Sequence, residues 1–137
     1  MKPFIFCGAL IFCGTLAFAA PKSAKLSPRP APTLRFARGA TSLEVRGFLS
    51  GLQSRVYWLE TRAGQKLRIS VSPASKRRLQ LVPLVFVTPP RGHYNGEKTA
   101  TYASNSTRAG FYKIEVRANS MASNARSGSF VLRVFAR

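Results

Sequence analysis

The strongest constraint on the fold is an alternation of apolar and polar residues that recurs along most of the chain. Residues 43–46 run Leu-Glu-Val-Arg, and the same period of two recurs in 66–71, 112–117 and 130–134. This period places apolar side chains on one face of a β-strand and polar side chains on the other. The alternation therefore predicts strands with one face in a core and one face in water.

Turn-forming residues punctuate these segments. Four stretches that contain Gly, Pro or Asn predict turns between the strands: RAGQ at 62–65, TPPRG at 88–92, YNGE at 94–97 and TRAG at 107–110. The apolar run 79–87 suits a central strand, but Pro83 lacks an amide donor and predicts an edge or a bulge there. No stretch has a convincing helical period. We predict an all-β fold, a single antiparallel, jelly-roll-like β-sandwich of about seven or eight strands over residues 34–137.

The first residues have the layout of a secretory signal peptide. A single lysine precedes a short apolar run that ends in Ala17-Phe18-Ala19, so we expect cleavage after Ala19 and a periplasmic or secreted mature protein. The alternative is a retained membrane anchor, which needs about 20 apolar residues. Both cysteines, Cys7 and Cys13, lie in this segment. Cleavage of the signal peptide would therefore remove both, and we expect no disulfide in the mature chain.

A leader rich in proline follows the predicted signal peptide. Residues 20–33 contain Pro21, Pro28, Pro30 and Pro32, and this spacing predicts a disordered or polyproline-like segment with no packed role. The predicted organisation is thus a signal peptide over 1–19, a leader over 20–33 and one domain over 34–137.

The chain carries a large excess of positive charge. It has 22 Lys and Arg against four acidic residues, a formal net charge of +18, and loss of Lys2 with the signal peptide leaves +17. Such an excess indicates a polyanionic or acidic partner. Readers of single-stranded nucleic acid also need exposed aromatic rings. Because Phe111, Tyr112 and Phe130 fall in or beside core-facing alternation, and export removes the protein from cytoplasmic nucleic acid, we expect no nucleic-acid partner and no membrane span in the mature chain.

Residues for catalysis or metal binding are scarce. The acidic residues are four glutamates, of which Glu44 and Glu115 fall on outward strand positions, and the one histidine, His93, lies in a Pro-Gly-rich loop. Acid–base catalysis needs a positioned acid or base, and zinc needs three or four clustered ligands. We therefore predict that the protein is not an enzyme and binds neither a metal nor a cofactor.

One set of spaced residues resembles a known family. F-x-x-G-x-x-S and G-x-L-x-G follow one another closely, and GFYKIEV and NAR come later; the matching positions are Phe36, Gly39, Ser42, Gly47, Leu49, Gly51, 110–116 and 124–126. Over 34–72 and 108–135 the chain resembles the periplasmic inhibitors of g-type lysozyme, and the wider set of secreted β-sandwich modules of the pre-peptidase C-terminal type. Glycines at such positions permit positive φ or close backbone approach, so the match bears on fold first.

For the inhibitors, the resemblance implies that loops at one end of the sandwich enter the lysozyme cleft, where an arginine meets the catalytic carboxylate. A guanidinium suits a shielded carboxylate because it donates paired, charge-assisted hydrogen bonds. The partner-binding positions that the resemblance implies here are Arg126, Asn124, Tyr112, Gly110 and Leu52. Asn124, Ser127 and Gly128 are expected to form a tight turn that presents Arg126.

The chain departs from the family pattern at three contact positions. Leu52 replaces an aromatic residue, Ala109 replaces a serine and Ala122 replaces a second arginine. Two alternatives follow. Arg126 is a solvated arginine in a hairpin turn, or the protein is an envelope module that binds anionic glycans or lipid head groups through a basic sheet face, formed by Arg46, Arg68, Lys113, Arg117 and Arg133.

Overall fold

The computed structural model describes residues 30–75, 81–92, 99–123 and 127–137, which form an all-β sandwich. The strands within these ranges are β1 (Thr33–Leu34), β2 (Ser42–Ser50), β3 (Ser54–Thr61), β4 (Leu67–Pro73), β5 (Pro83–Thr88), β6 (Thr101–Ser104), β7 (Gly110–Ala118) and β8 (Ser127–Ala136). The predicted fold class is confirmed. In the described part of the chain, no helix is long and apolar enough to cross a membrane.

The strands form two sheets of four, and consecutive strands alternate between them. The first sheet has the order β1-β3-β7-β5 and the second has the order β2-β8-β4-β6. All neighbouring strands run antiparallel except β1 and β3, which are parallel. Every connection between consecutive strands therefore passes from one sheet to the other, as in a jelly roll. Strands β7 and β8 therefore belong to different sheets and do not form a hairpin.

The core lies between the sheets and follows the alternation seen in the sequence. In β7 the inward residues Tyr112, Ile114 and Val116 are almost inaccessible to solvent. Strand β8 departs from the pattern, because Val131 is buried although alternation assigns it to the outer face. Strand β8 lies between β2 and β4, so its outer face is also partly covered by neighbouring side chains.

Pro83 lies at an edge of the first sheet, as predicted. It begins β5, which pairs only with β7 among the strands of that sheet. Its missing amide hydrogen therefore falls where no further strand requires a donor. The alternation of β5 is nevertheless that of a buried strand, with Val85 and Val87 in the core.

The end of the leader packs against the sandwich. The amide of Trp58 donates a hydrogen bond to the carbonyl oxygen of Pro32 at 3.0 Å, and Thr33 pairs with Trp58 in the short parallel strand β1. We expected the leader to remain unpacked up to residue 33, but residues 32 and 33 are bonded to the edge of β3. The reason is that β3 has an open edge there, and its amide groups need acceptors. Residues 1–29, with the predicted cleavage site, lie outside the described residues.

Candidate functional site

The strand pairing defines two ends of the sandwich. At one end Ser50 pairs with Ser127, and Pro83 pairs with Ala118. The connections that leave the strands here are 51–53, 74–82 and 119–126; we name this the Leu52 end. At the opposite end Thr61 pairs with Gly110, and the connections are those of residues 35–41, 62–66, 89–100 and 105–109.

Leu52 lies at the tip of the connection between β2 and β3. The amide of Gln53 donates to the carbonyl oxygen of Ser50 at 3.1 Å, which closes a tight turn. Gly51 has a φ of +58°, a left-handed conformation that glycine adopts without a steric penalty. The Leu52 side chain is 92% exposed, so this apolar group makes almost no contact within the sandwich.

The connection after β7 is built around Asn119. The Asn119 Oδ1 atom accepts hydrogen bonds from the amides of Met121 at 3.1 Å and Ala122 at 3.3 Å. The carbonyl oxygen of Asn119 accepts from the amide of Ser123 at 2.8 Å. Asparagine favours such local turns because its side chain substitutes for a backbone acceptor. The turn lifts Met121 away from the sandwich, and its side chain is 97% exposed.

This connection is also tied to the start of β5. The Val82 amide donates to Ser123 Oγ at 3.0 Å, and the Asn119 amide donates to the Val82 carbonyl oxygen at 2.8 Å. Ser123 is therefore fixed on one side of the three-residue segment 124–126, and Ser127 is fixed on the other by β8. Asn124 and Arg126 themselves lie outside the described residues.

The prediction that Ser127 and Gly128 belong to a tight turn is wrong. Ser127 and Gly128 are the first residues of β8, where they pair with Ser50 and Leu49 of β2. The sequence misled because Ser and Gly favour turns, whereas here Gly128 is needed for close packing. A Cβ atom at Gly128 would lie 2.9 Å from Cβ of Leu81.

Of the five partner-binding positions implied by the resemblance, the three that the structure describes do not lie at one end of the sandwich. Leu52 lies at the Leu52 end, whereas Gly110 begins β7 at the opposite end. Strand β7 is nine residues long from Gly110 to Ala118, so its ends lie about 26 Å apart. Tyr112 is 2% exposed, and its hydroxyl oxygen accepts a hydrogen bond from the Arg108 amide at 3.2 Å. Tyr112 is thus a core residue that supports the opposite end.

Thr107 organises that opposite end and was not predicted as anything more than part of a turn. Its Oγ1 accepts from the Gln65 amide at 3.0 Å and donates to the Arg62 carbonyl oxygen at 2.5 Å. Its backbone bonds Gly64 and Gln65 at 2.9 and 2.8 Å. Thr107 is 3% exposed, so these bonds satisfy groups that water does not reach. Thr107 therefore ties the 105–109 connection to the 62–66 connection.

The basic residues assigned to one sheet face lie on two. Arg46, Arg68 and Arg133 belong to the β2-β8-β4-β6 sheet, and Lys113 and Arg117 belong to β7 in the other sheet. The prediction of a single basic face containing all five is wrong, because consecutive strands alternate between sheets. Sequence alternation shows that a side chain points outward, but it does not show which outer face it is on.

On each outer face, one glutamate forms ion pairs that neutralise part of the positive charge. Glu44 contacts Arg133 at 3.0 Å and Arg46 at 3.5 Å. Glu115 contacts Arg117 at 2.6 Å and Lys113 at 3.5 Å. Burial raises the pKa of Glu115, but hydrogen bonds and charge from Arg117, a hydrogen bond from Ser54 and charge from Lys113 together lower it below its usual value.

The two glutamates predicted at outward strand positions do not come together in the structure. Glu44 and Glu115 lie on opposite outer faces, which separates them by the thickness of both sheets. Within the described ranges, no three His, Cys, Asp or Glu residues lie close enough to hold a metal ion. His93 and Glu97 lie outside those ranges.

Comparisons with known proteins identify the fold. No protein-family model matches the chain, and no curated protein matches it. Solved structures do match. A periplasmic inhibitor of g-type lysozyme from Aeromonas hydrophila, PliG, is similar over 78% of this chain and 96% of its own, with 21% identity and a TM-score of 0.57. The Salmonella Typhimurium PliG is similar over 80% of this chain and all of its own, with 14% identity and a TM-score of 0.58.

A second kind of module has the same architecture. The pre-peptidase C-terminal domain of a Bacillus anthracis collagenase is similar over 79% of this chain and 99% of its own, with 17% identity and a TM-score of 0.51. Both kinds of neighbour are the ones that the sequence motifs resemble, and at these identities the likeness bears on fold. The chain therefore has the β-sandwich fold that the PliG inhibitors of g-type lysozyme share with the pre-peptidase C-terminal domain.

Proposed function

We propose that the protein is an exported, non-catalytic inhibitor that binds g-type lysozyme by inserting its Leu52 end into the active-site cleft. The neighbours described as periplasmic g-type lysozyme inhibitors match over nearly their whole length, and this supports the proposal. The predicted signal peptide supports the same compartment for this chain.

The observation that carries the proposal is the construction of the Leu52 end. Two apolar side chains, Leu52 and Met121, are 92% and 97% exposed on adjacent connections of this end. The described residues on either side of segment 124–126 are held at the same end by hydrogen bonds and strand pairing. Turns whose backbone is already fixed by hydrogen bonds lose little backbone entropy on binding, and their apolar side chains gain contact area when a cleft covers them.

Arg126 supplies the polar part of the proposed contact. It lies in the segment between two anchored ends, and a lysozyme cleft contains a catalytic carboxylate that pairs well with a guanidinium. Leu52 takes the place of the aromatic residue of the family pattern, and Met121 adds a flexible thioether next to Ala122, where the pattern has a second arginine. Methionine fits irregular apolar surfaces well. The contact proposed for this chain is thus more apolar than that of the family.

Inhibition of bacterial lysis by three classes of lysozyme tests the proposal. Purified protein should inhibit a g-type enzyme and leave c-type and i-type enzymes active at the same concentration. Because the contact is partly apolar and shielded, inhibition should persist when salt is raised from about 0.1 M to about 0.5 M, a change that shortens the Debye length from about 10 Å to about 4 Å. Full activity of every g-type enzyme tested, or inhibition abolished by the added salt, would contradict it.

A further inference from the structure

The outer face of the β2-β8-β4-β6 sheet forms a groove that is separate from the Leu52 end. The groove has a volume of about 720 Å³ and crosses all four strands. The outward side chains that line it include Glu44, Arg68, Ser70, Thr101, Arg133 and Phe135. Its volume is within the range of sites that hold small ligands, about 300–1,000 Å³.

The strand register sets these groups in two rows. Glu44, Arg133, Ser70 and Thr101 are direct cross-strand neighbours across β2, β8, β4 and β6. Phe135 is the direct neighbour of Arg68 in the adjacent row. Direct neighbours on one sheet face have Cβ atoms about 5 Å apart, so one extended ligand contacts several of them.

The groove carries a net positive charge, and its arginines differ in whether they have an acidic partner. The Glu44 carboxylate is held by Arg133 at 3.0 Å and by Arg46 at 3.5 Å. Two guanidinium groups therefore share one carboxylate. Arg68 is exposed, and its side chain has neither a hydrogen bond nor an ion pair with any other residue in the ranges that the structure describes. Its donors face solvent in the groove and are available to an anionic ligand.

We infer that this groove binds a carboxylated oligosaccharide. Arg68 donates paired hydrogen bonds to a sugar carboxylate, and the Ser70 and Thr101 hydroxyls exchange hydrogen bonds with sugar hydroxyls. The Phe135 side chain lines the groove and supplies apolar surface for the carbon-bound hydrogens of a sugar ring. The combination of a cation, hydroxyls and an aromatic ring in an open groove suits an acidic sugar chain.

Titration with tetragalacturonate, followed by calorimetry and by backbone amide chemical shifts, tests this inference. The protein should bind it, with the largest shifts in β4, β8 and β6, and should bind the uncharged tetramer of galactose at least tenfold more weakly. Arg68→Ala should weaken binding at least tenfold. The control is Arg62→Ala, an equally charged and exposed residue at the end of the sandwich opposite Leu52.

Each other outcome overturns the inference. Equal losses for Arg68→Ala and Arg62→Ala would show diffuse attraction to net charge. Shifts confined to other surfaces, equal binding of the neutral tetramer, or no binding of tetragalacturonate would show that the groove is not an acidic sugar site. Neither titration contains lysozyme, so the result is independent of the proposed inhibition.

Discussion

At the scale of single residues, Gly47 shows how one absent side chain shapes the core. It pairs with Phe130 of β8, and an ideal Cβ at Gly47 would lie 2.3 Å from the Cζ atom of that ring and 3.0 Å from the Tyr57 hydroxyl oxygen. Phe130 is fully buried and leans over the glycine. The sequence offers two reasons for a glycine in G-x-L-x-G, close packing or a positive φ. Gly47 is an example of close packing, and Gly51 has the positive φ.

Gly47→Ala should destabilise the fold by about 1–3 kcal/mol, the usual cost of forcing an extra methyl group into a packed core. Thermal or denaturant unfolding measures this cost. The double variant Gly47→Ala/Phe130→Leu provides the control, because a smaller side chain at 130 leaves room for the methyl group. The two substitutions should then cost less together than the sum of their separate costs. An unchanged midpoint in Gly47→Ala, or strictly additive costs, would rule out this packing.

At the scale of elements, alternation predicted which segments are strands and which side chains face the core, and it did so because both depend on local sequence. In β7 the alternation of Tyr112, Ile114 and Val116 with charged residues matches the observed burial. Strand partners were not predictable in the same way. The division of the basic residues between two outer faces, and the placement of Ser127 and Gly128 in β8, depend on pairing between distant segments, which the period does not encode.

Glu115 on β7 makes a prediction about pH. Its pKa in the folded protein is lowered, so the unfolded chain binds more protons as the solution becomes acidic. The stabilisation from Glu115 is therefore present above its ordinary pKa of 4.5 and is lost as the pH falls through the lower folded value. Glu115→Gln should reduce the loss of stability between neutral and acidic solution, as measured by denaturant unfolding at several pH values.

Glu60→Gln is the matched control for that measurement. Glu60 is an exposed residue of the neighbouring strand β3. It makes no ion pair with other residues in the described ranges. Because its substitution removes no ion pair among these residues, Glu60→Gln should lower the stability at neutral pH less than Glu115→Gln does. If Glu115→Gln and Glu60→Gln had the same pH dependence as the parent, the ion pairs of Glu115 with Arg117 and Lys113 would contribute nothing to stability.

At the scale of the whole molecule, the two ends of the sandwich are built differently. At the opposite end the buried Thr107 ties two connections together through hydrogen bonds, whereas the Leu52 end holds two exposed apolar side chains on short anchored turns. The sequence motifs identified Leu52, but they combined it with Gly110 and Tyr112, which lie at or near the opposite end. Met121 was not predicted, because a single large apolar residue among small residues gives no periodic signal. The only local indication was Asn119, a residue that favours turns.

The central claim, that the Leu52 end enters the lysozyme cleft with Arg126 as its charged contact, is tested most directly by the inhibition constant of Arg126→Ala against a g-type lysozyme. Removing one partner of a shielded charge pair typically costs about 2–5 kcal/mol of binding, which is roughly a thirtyfold or greater rise in that constant. Arg62→Ala, with the same loss of charge at the opposite end, should raise it less than about threefold, because exposed charges contribute little. Both variants should unfold at the temperature of the parent. Equal effects of the two substitutions, or an unchanged constant in Arg126→Ala, would contradict the account.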